Sequence, residues 1–212
     1  MTTNLLPPVV PAAPAAASVA PALPKTLGEW LNALTEDEFY FFCRRNPELK
    51  FERRADGIIE CLSMTGGTTG RRNTELITEL TIWNRQGRTG EVFDSSTGFR
   101  LANGAVRSPD VAWVRTEAWA ALAPEQQEKF PPLCPDFVVE LASPSDAVAD
   151  LVLKMNEYIA NGCRLGWLID PKNETVRLFR ADGSVSVAKS FDETLSGEDV
   201  LPGFSFPLSL LR

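Results

Sequence analysis

Two acidic residues border or interrupt apolar segments of the chain. Asp110 directly precedes the run 111–114, and Glu140 lies inside the run 137–142. Both runs have the length and composition of buried strands. An ionised carboxylate is buried only where a cation, a metal ion or dense hydrogen bonding compensates it. Two such residues therefore suggest a shared hard divalent cation, and oxygen ligands suit Mg²⁺ or Mn²⁺ better than Zn²⁺.

Each acidic residue also has a purely structural explanation. Asp110 follows Ser108 and Pro109, and this composition is common in turns. Glu140 shares a strand face with Val138, and a salt bridge to an arginine or a lysine would account for it without a metal ion. Both explanations remain open from the residues alone.

A helix is predicted after the strand that contains Glu140. The segment 143–146, Ser-Pro-Ser-Asp, has the composition of a loop that leads into a helix, with Ser145 as the N-cap. Asn161 and Gly162 form a typical C-terminal signal. The predicted helix therefore ends near Ala160.

A lysine lies at the border of the apolar stripe of this helix. Asp150, Lys154 and Tyr158 are spaced four residues apart and follow that border. Lys154 would therefore point to the boundary between the core and a cleft. The alternative is a surface lysine that pairs with Asp150.

The remaining pattern predicts one α/β domain. A polar helical insertion near 117–129 separates the two apolar strands. Further helices are predicted near 26–33, 36–45 and 71–85, a hairpin near 49–62, and further strands near 91–94, 98–101, 165–169, 175–180 and 185–189. The Gly/Thr-rich segment 65–70 is not a nucleotide-binding P-loop, because it lacks the Gly-Lys-Ser/Thr ending.

The ordered series of motifs resembles the PD-(D/E)XK nuclease superfamily. In that superfamily a Pro-Asp, an acidic residue in the next strand and a lysine build a metal-dependent phosphodiesterase site. The usual Glu-x-Lys is broken here, because Ala142 stands two positions after Glu140, and Lys154 on the following helix is the candidate replacement. The resemblance is closer to the Uma-two family, from about residue 26 to the C terminus. Its hallmarks are Gly57-Ile-Ile-Glu60, Thr65-Gly-Gly67, Ser108-Pro-Asp110, Val139-Glu-Leu-Ala-Ser-Pro-Ser145, Lys154 with Tyr158, Gly162, and Gly166-Trp-Leu-Ile-Asp-Pro171.

The resemblance implies a restriction-endonuclease-like fold. This fold has a central mixed β-sheet flanked by helices, here with an N-terminal helix and hairpin as an extension. The implied activity is Mg²⁺- or Mn²⁺-dependent hydrolysis of DNA phosphodiester bonds. Asp110, Glu140 and the backbone carbonyl of Leu141 would hold the metal ion, and Lys154 would orient or deprotonate the attacking water.

Further residues are predicted to support this site. Asp150 and Tyr158 would act beside the lysine. The superfamily often takes a polar group from the first core helix, and Asn73 is preferred there because it shares the inner stripe, with Glu79 in reserve. Glu60 ends a strand and matches a family position, although a role in the fold explains it equally well.

The composition of the chain disfavours several classes of catalytic site and bears on DNA binding. The chain of 212 residues has no histidine, and its four cysteines form no Cys-x-x-Cys pair, which disfavours zinc fingers, His-metal hydrolases and Ser-His-Asp triads. A formal net charge of −7 is unfavourable for DNA binding, because phosphate contacts require basic surface. A local positive rim could come from Arg44, Arg45, Arg53, Arg54, Arg71, Arg72, Arg85, Arg88, Arg100 and Arg107.

The N-terminal 25 residues differ from the rest of the chain. Residues 1–25 are dominated by Pro and Ala and are predicted to form a disordered tail before a single domain at 26–212. A signal peptide is not expected, because no basic residue precedes the apolar start and prolines interrupt it. No later apolar run reaches the roughly 18 residues of a membrane span. With scattered cysteines, these features predict a cytoplasmic protein with no membrane partner.

Two classes of function remain in competition. The intact acidic pair and lysine favour an endonuclease, and double-strand cleavage would need two sites, which makes a homodimer one expectation. The acidic net charge favours a catalytically silent nucleic-acid-binding or protein-interaction module on a nuclease fold.

Overall fold

The computed structural model describes residues 26–212, so the predicted tail at 1–25 lies outside the described residues. The elements in chain order are α1 (Leu27–Asn32), α2 (Glu36–Arg45), β1 (Lys50–Arg53), β2 (Ile59–Leu62), α3 (Gly67–Gly87), β3 (Gly90–Asp94), β4 (Phe99–Arg100), β5 (Val106–Arg107), β6 (Val111–Arg115), α4 (Thr116–Ala120), α5 (Pro124–Glu128), β7 (Phe137–Leu141), α6 (Val148–Ala160), β8 (Leu165–Asp170), β9 (Thr175–Arg180), β10 (Val185–Ala188), β11 (Thr194–Ser196), β12 (Ser205–Pro207) and a 3₁₀ turn (Leu208–Leu211).

A six-stranded mixed sheet forms the centre of the domain, in the order β10-β9-β8-β7-β6-β3. Only β7 and β8 of this sheet are parallel, and α6 is the crossover that connects them. The other neighbouring strands are antiparallel. The predicted central mixed sheet flanked by helices is therefore confirmed.

The two faces of β7 belong to two hydrophobic cores. Val139 and Leu141 pack in a cluster that includes Leu76 and Leu80 of α3. Val138 faces the opposite cluster, which contains residues of α6. This alternation confirms the predicted strand faces, and it places Glu140 on the α6 side of the sheet.

A smaller sheet carries the N-terminal hairpin. Its order is β2-β1-β5-β4, and the antiparallel pair β1 and β2 confirms the hairpin predicted near 49–62. The preceding helices begin at capping boxes, in which Thr26 and Thr35 accept hydrogen bonds from the backbone three residues later. β5 joins this sheet to the segment that leads to Asp110.

The structure corrects several predicted boundaries. The N-cap of α6 is Ala147 and not Ser145, because the segment 143–146 closes a turn of its own. In this turn the Ser143 amide donates to the Asp146 carboxylate at 2.8 Å, and the Ser145 hydroxyl lies 3.0 Å from that of Ser143. α3 begins at Gly67, four residues before the predicted start. The polar insertion forms two short helices, and β5, β11 and β12 were not predicted.

Among the helices at residues 26–212, none is both long and apolar enough to cross a membrane.

Close packing between β3 and β6 makes Gly90 a sensitive position. A Cβ atom at Gly90 would lie 2.3 Å from the Val114 carbonyl oxygen and 2.4 Å from the Trp113 ring. We expect Gly90→Ala to lower the free energy of unfolding by about 1–3 kcal/mol, because the backbone must move. Gly70→Ala is the matched control, since a Cβ there meets no atom within 4 Å and alanine favours the helix. Equal denaturant midpoints for Gly90→Ala and the wild type would contradict this packing.

Candidate active site

Antiparallel pairing of β6 and β7 brings the two predicted carboxylates together. Val111 lies opposite Val139, so Asp110 at the start of β6 lies beside the end of β7, where Glu140 is found. Both carboxylates line a cavity of about 590 Å³, together with Leu141 and Lys154. The register of β6 and β7 therefore places the predicted residues Asp110 and Glu140 in the same cavity.

Asp110 is held by two hydrogen bonds. One carboxylate oxygen accepts from the Leu141 backbone amide at 2.8 Å, and the other accepts from the Asn73 side-chain amide at 3.2 Å. Asn73 projects from α3, as the helix periodicity predicted. Glu79 makes no polar contact with Asp110 or Glu140.

Glu140 is buried and shares one carboxylate oxygen between two donors. Oε1 lies 2.9 Å from the Lys154 ammonium and accepts a hydrogen bond from the Tyr158 hydroxyl at 3.0 Å. Burial raises the pKa of Glu140 to about 7, and the nearby charges of Asp110 and Glu52 act in the same direction, while Lys154 opposes them. In the described residues, Oε2 of Glu140 accepts no hydrogen bond.

Lys154 reaches both sides of the site. Its Nζ lies 2.9 Å from Glu140 and 2.9 Å from Glu52 on β1. Burial alone would lower the pKa of Lys154, but the two carboxylates outweigh it and hold that pKa above its usual range. The surface-lysine alternative is therefore wrong, because Asp150 is exposed and makes no ion pair with Lys154.

Glu52 is a central residue that the sequence reasoning missed. Only 2% of it is exposed, and it accepts hydrogen bonds from Lys154, from Arg107 at 3.1 Å and from the Ser108 amide at 2.8 Å. Burial acts to raise the pKa of Glu52, but Lys154, the Ser108 amide and Arg107 outweigh it and lower the pKa. The one local signal was the alternation within β1, which places Lys50 and Glu52 on the same face.

Arg107 connects this cluster to its outer edge. Its guanidinium donates to Glu157 at 2.6 Å and to Glu52, and it lies 3.6 Å from Glu60. The Glu60 side chain is 42% exposed and does not line the cavity that contains Asp110. Of the four predicted supporting residues, Asn73 and Tyr158 contact the acidic pair directly, whereas Glu60 and Asp150 do not.

Several members of the predicted arginine rim have other partners. Arg53 is buried, stacks 5.1 Å above the Phe39 ring and donates to a backbone carbonyl. Arg71 and Arg72 donate to backbone carbonyls of the C-terminal turn. Arg107 is occupied by the ion pairs described above. These four guanidinium groups therefore bind carboxylates, carbonyls or a ring of the protein, and the rest of the predicted rim stays a prediction.

The side chains present fit a lightly coordinated hard cation. Among residues 26–212, no group of three or more His, Cys, Asp or Glu side chains is arranged to hold a metal ion. The cavity instead offers Asp110, the unpaired Oε2 of Glu140 and the segment at Leu141. This set suits Mg²⁺, which is commonly bound by one or two carboxylates and keeps several water ligands.

Comparison with known proteins agrees with this fold. The crystal structure of "a putative nuclease belonging to DUF820" from Anabaena variabilis ATCC 29413 matches with a TM-score of 0.70 and 20% sequence identity. The match covers 84% of this chain and 97% of that chain, and at this identity it shows a shared fold. No curated protein matches the chain.

The family model gives the broader assignment. The model described as "Putative restriction endonuclease" matches residues 36–209, which include Asp110, Glu140 and Lys154. This match covers well over half of the chain and confirms the resemblance drawn from the motifs. The chain therefore belongs to the Uma2 family.

Proposed function

We propose that this protein is a metal-dependent endonuclease that hydrolyses phosphodiester bonds in DNA. One observation carries the proposal: Asp110 and Glu140 line one cavity, with the Lys154 ammonium 2.9 Å from Glu140. Two carboxylates and an ammonium are the groups needed to hold a hard cation and to balance charge at a phosphate. Membership of the Uma2 family supports the same reaction class.

Asp110, Glu140 and the Leu141 carbonyl would hold the cation. Bound Mg²⁺ or Mn²⁺ would supply Lewis acidity toward the phosphate and its attacking water. The Leu141 amide and Asn73 fix the orientation of Asp110. Tyr158 orients Glu140 through a hydrogen bond to Oε1, which leaves Oε2 available.

Lys154 acts as a permanent positive charge. Its raised pKa keeps it protonated at neutral pH, so it cannot accept a proton from water. We therefore assign to Lys154 the orientation of water and the balancing of negative charge, and we do not assign it the deprotonation step. Two of its three N–H donors are directed to Glu52 and Glu140, and one remains for a ligand in the cavity.

The competing function is a catalytically silent module that binds nucleic acid or protein. The observation that favours it is that, among residues 26–212, no three His, Cys, Asp or Glu side chains are arranged to hold a metal ion. A plasmid-nicking assay with added Mg²⁺ or Mn²⁺ separates the two functions. Metal-dependent nicking by the wild type supports the endonuclease, and its absence at saturating metal supports the silent module.

The acidic pair gives a direct prediction. Asp110→Asn and Glu140→Gln should each weaken Mn²⁺ binding at least about tenfold in calorimetry, because each removes a charged ligand. Both should abolish nicking while preserving the fold. Asp199→Asn is the matched control, since this exposed carboxylate pairs with Arg164 and lies outside the cavity. Unchanged Mn²⁺ affinity in both site variants would remove the pair from metal binding.

The pKa of Glu140 predicts a pH dependence of metal binding. Glu140 is protonated below about pH 7 in the metal-free protein, so a cation must displace that proton. Mn²⁺ affinity should therefore rise between pH 6 and 8, with proton release seen as a buffer-dependent calorimetric heat. Glu140→Gln should flatten this rise. A pH-independent affinity in the wild type would show that Glu140 does not titrate on binding.

The raised pKa of Glu140 also determines how the free energy of unfolding changes with pH. Glu140 is raised from 4.5 to about 7 on folding, so its stabilising contribution is complete below pH 4.5. That contribution decreases as the pH rises toward 7. In the metal-free protein, Glu140→Gln should therefore reduce the loss of stability between pH 5 and 7.5, measured by urea denaturation.

Removal of Lys154 should affect both activity and stability. Lys154→Ala should abolish nicking and lower the free energy of unfolding by about 3–5 kcal/mol, because it leaves buried Glu140 without its cation and Glu52 with Arg107 alone. Adding Glu52→Gln should recover part of the stability but none of the nicking. Lys189→Ala, an exposed lysine at the end of β10, is the control. Wild-type nicking by the stabilised double variant would contradict a role for Lys154 in the reaction.

A further inference from the structure

Strand β1 presents a second lysine to the site. Lys50 and Glu52 are two residues apart and therefore lie on the same face of the strand, which is the face directed to Lys154. The other face packs away from the site, where the Phe51 ring lies 5.0 Å from Phe42. Lys50 lines the same cavity as Asp110.

Lys50 is partly buried, yet its side chain has no polar partner. Within residues 26–212, its ammonium makes no ion pair or hydrogen bond, unlike Lys154 with its two carboxylates. Burial lowers the pKa of Lys50, and the charge of Asp110 only partly opposes this effect. An anion beside this ammonium would compensate its lost hydration.

The charge balance of the cavity indicates where an anion can be held. Its lining contains the carboxylates of Glu48, Asp110, Glu140 and Asp146 and the ammonium groups of Lys50 and Lys154. A divalent cation would balance this formal charge, so the negative charge of a bound phosphate would still need a cation beside it. Lys154 keeps one N–H donor beside its bonds to Glu52 and Glu140. Lys50 makes no ion pair within the described residues, so it is the cation of the lining with the most capacity for an incoming anion.

A second cavity continues from Lys50. It has a volume of about 750 Å³ and shares Glu48, Lys50, Ser95 and Ser108 with the first cavity. Its lining adds Arg44, and aromatic rings such as Phe130 are present. Lys50 therefore lines both cavities. The second cavity contains basic and aromatic groups that suit a nucleic-acid strand, beside the carboxylates of Glu48 and Glu128.

We propose that Lys50 binds a phosphate of the DNA strand at this junction, beside the metal-binding pair. This assignment rests on the proposed endonuclease function. It divides the two lysines by role: Lys154, held by Glu52 and Glu140, orients the attacking water and balances charge, and Lys50 binds a phosphate of the strand. The missing Glu-x-Lys lysine would then be replaced by two residues from different elements.

The test compares Lys50→Met, Lys50→Arg and the surface control Lys189→Met. Binding of a short DNA duplex is measured by fluorescence anisotropy in Ca²⁺ over a range of salt concentrations. Nicking is measured in Mg²⁺, and Mn²⁺ affinity is measured by calorimetry. Lys50→Met should weaken DNA binding about tenfold. It should also reduce the slope of log affinity against log salt concentration by about one, which corresponds to the loss of one phosphate contact. Its kcat/KM should fall at least tenfold, with thermal stability preserved and Mn²⁺ affinity not weakened.

The control variants make the outcomes distinguishable. Lys50→Arg should retain most of the DNA affinity, because it keeps the charge, and Lys189→Met should match the wild type. If the wild type nicks DNA and Lys50→Met behaves like Lys189→Met, the role of Lys50 is overturned and the endonuclease function stands. If the wild type neither binds nor nicks DNA, the proposed function is overturned, and the Lys50 assignment with it.

Discussion

The shared ammonium of Lys154 is the interaction on which the candidate site depends. It lies 2.9 Å from Glu52 on β1 and 2.9 Å from Glu140 on β7, while the lysine itself comes from α6. The Lys154 ammonium therefore connects three separate elements, β1, β7 and α6. Arg107 likewise forms ion pairs with two carboxylates, those of Glu52 and Glu157. Because a buried carboxylate without its cation is strongly unfavourable, these contacts hold the N-terminal hairpin against the main sheet.

This arrangement has a consequence for chemistry. Glu52 also has Arg107 and the Ser108 amide as partners, whereas Glu140 has Lys154 as its cation. Burial therefore raises the pKa of Glu140, while the partners of Glu52 lower its pKa. Glu140 is therefore the carboxylate of this pair that most gains from a second cation. It lines the same cavity as Asp110, whose charge also raises the pKa of Glu140.

Local sequence patterns predicted the parts of the fold that depend on local physics. The bounds of α2 and β9, the faces of β7 and the inward orientation of Asn73 follow from capping signals and from hydrophobic periods of two or 3.6 residues. Local patterns could not predict that Asp110 and Glu140 lie close together, because their proximity depends on the antiparallel register of β6 and β7. The order of motifs in a known family supplied that information.

Local patterns could not predict residues whose burial and contacts depend on partners that are distant in the sequence. Glu52 lies in the short strand Lys-Phe-Glu-Arg, and one of its main partners, Lys154, is 102 residues away in the chain. Arg53 and Arg107 resemble surface arginines in sequence, but tertiary contacts bury Arg53 and mostly cover Arg107. Ser145 has the right type for an N-cap, yet its neighbours Ser143 and Asp146 close a competing turn.

The central claim is that Asp110 and Glu140 bind one divalent cation for phosphodiester hydrolysis. The most direct measurement is the anomalous diffraction of crystals soaked in Mn²⁺ above pH 7, where Glu140 is ionised. We predict one anomalous peak in contact with a carboxylate oxygen of each residue, with Lys154 still bound to Glu52. A Mn²⁺-saturated crystal without a peak between the two carboxylates, obtained from protein that nicks DNA in the same metal, would contradict the account.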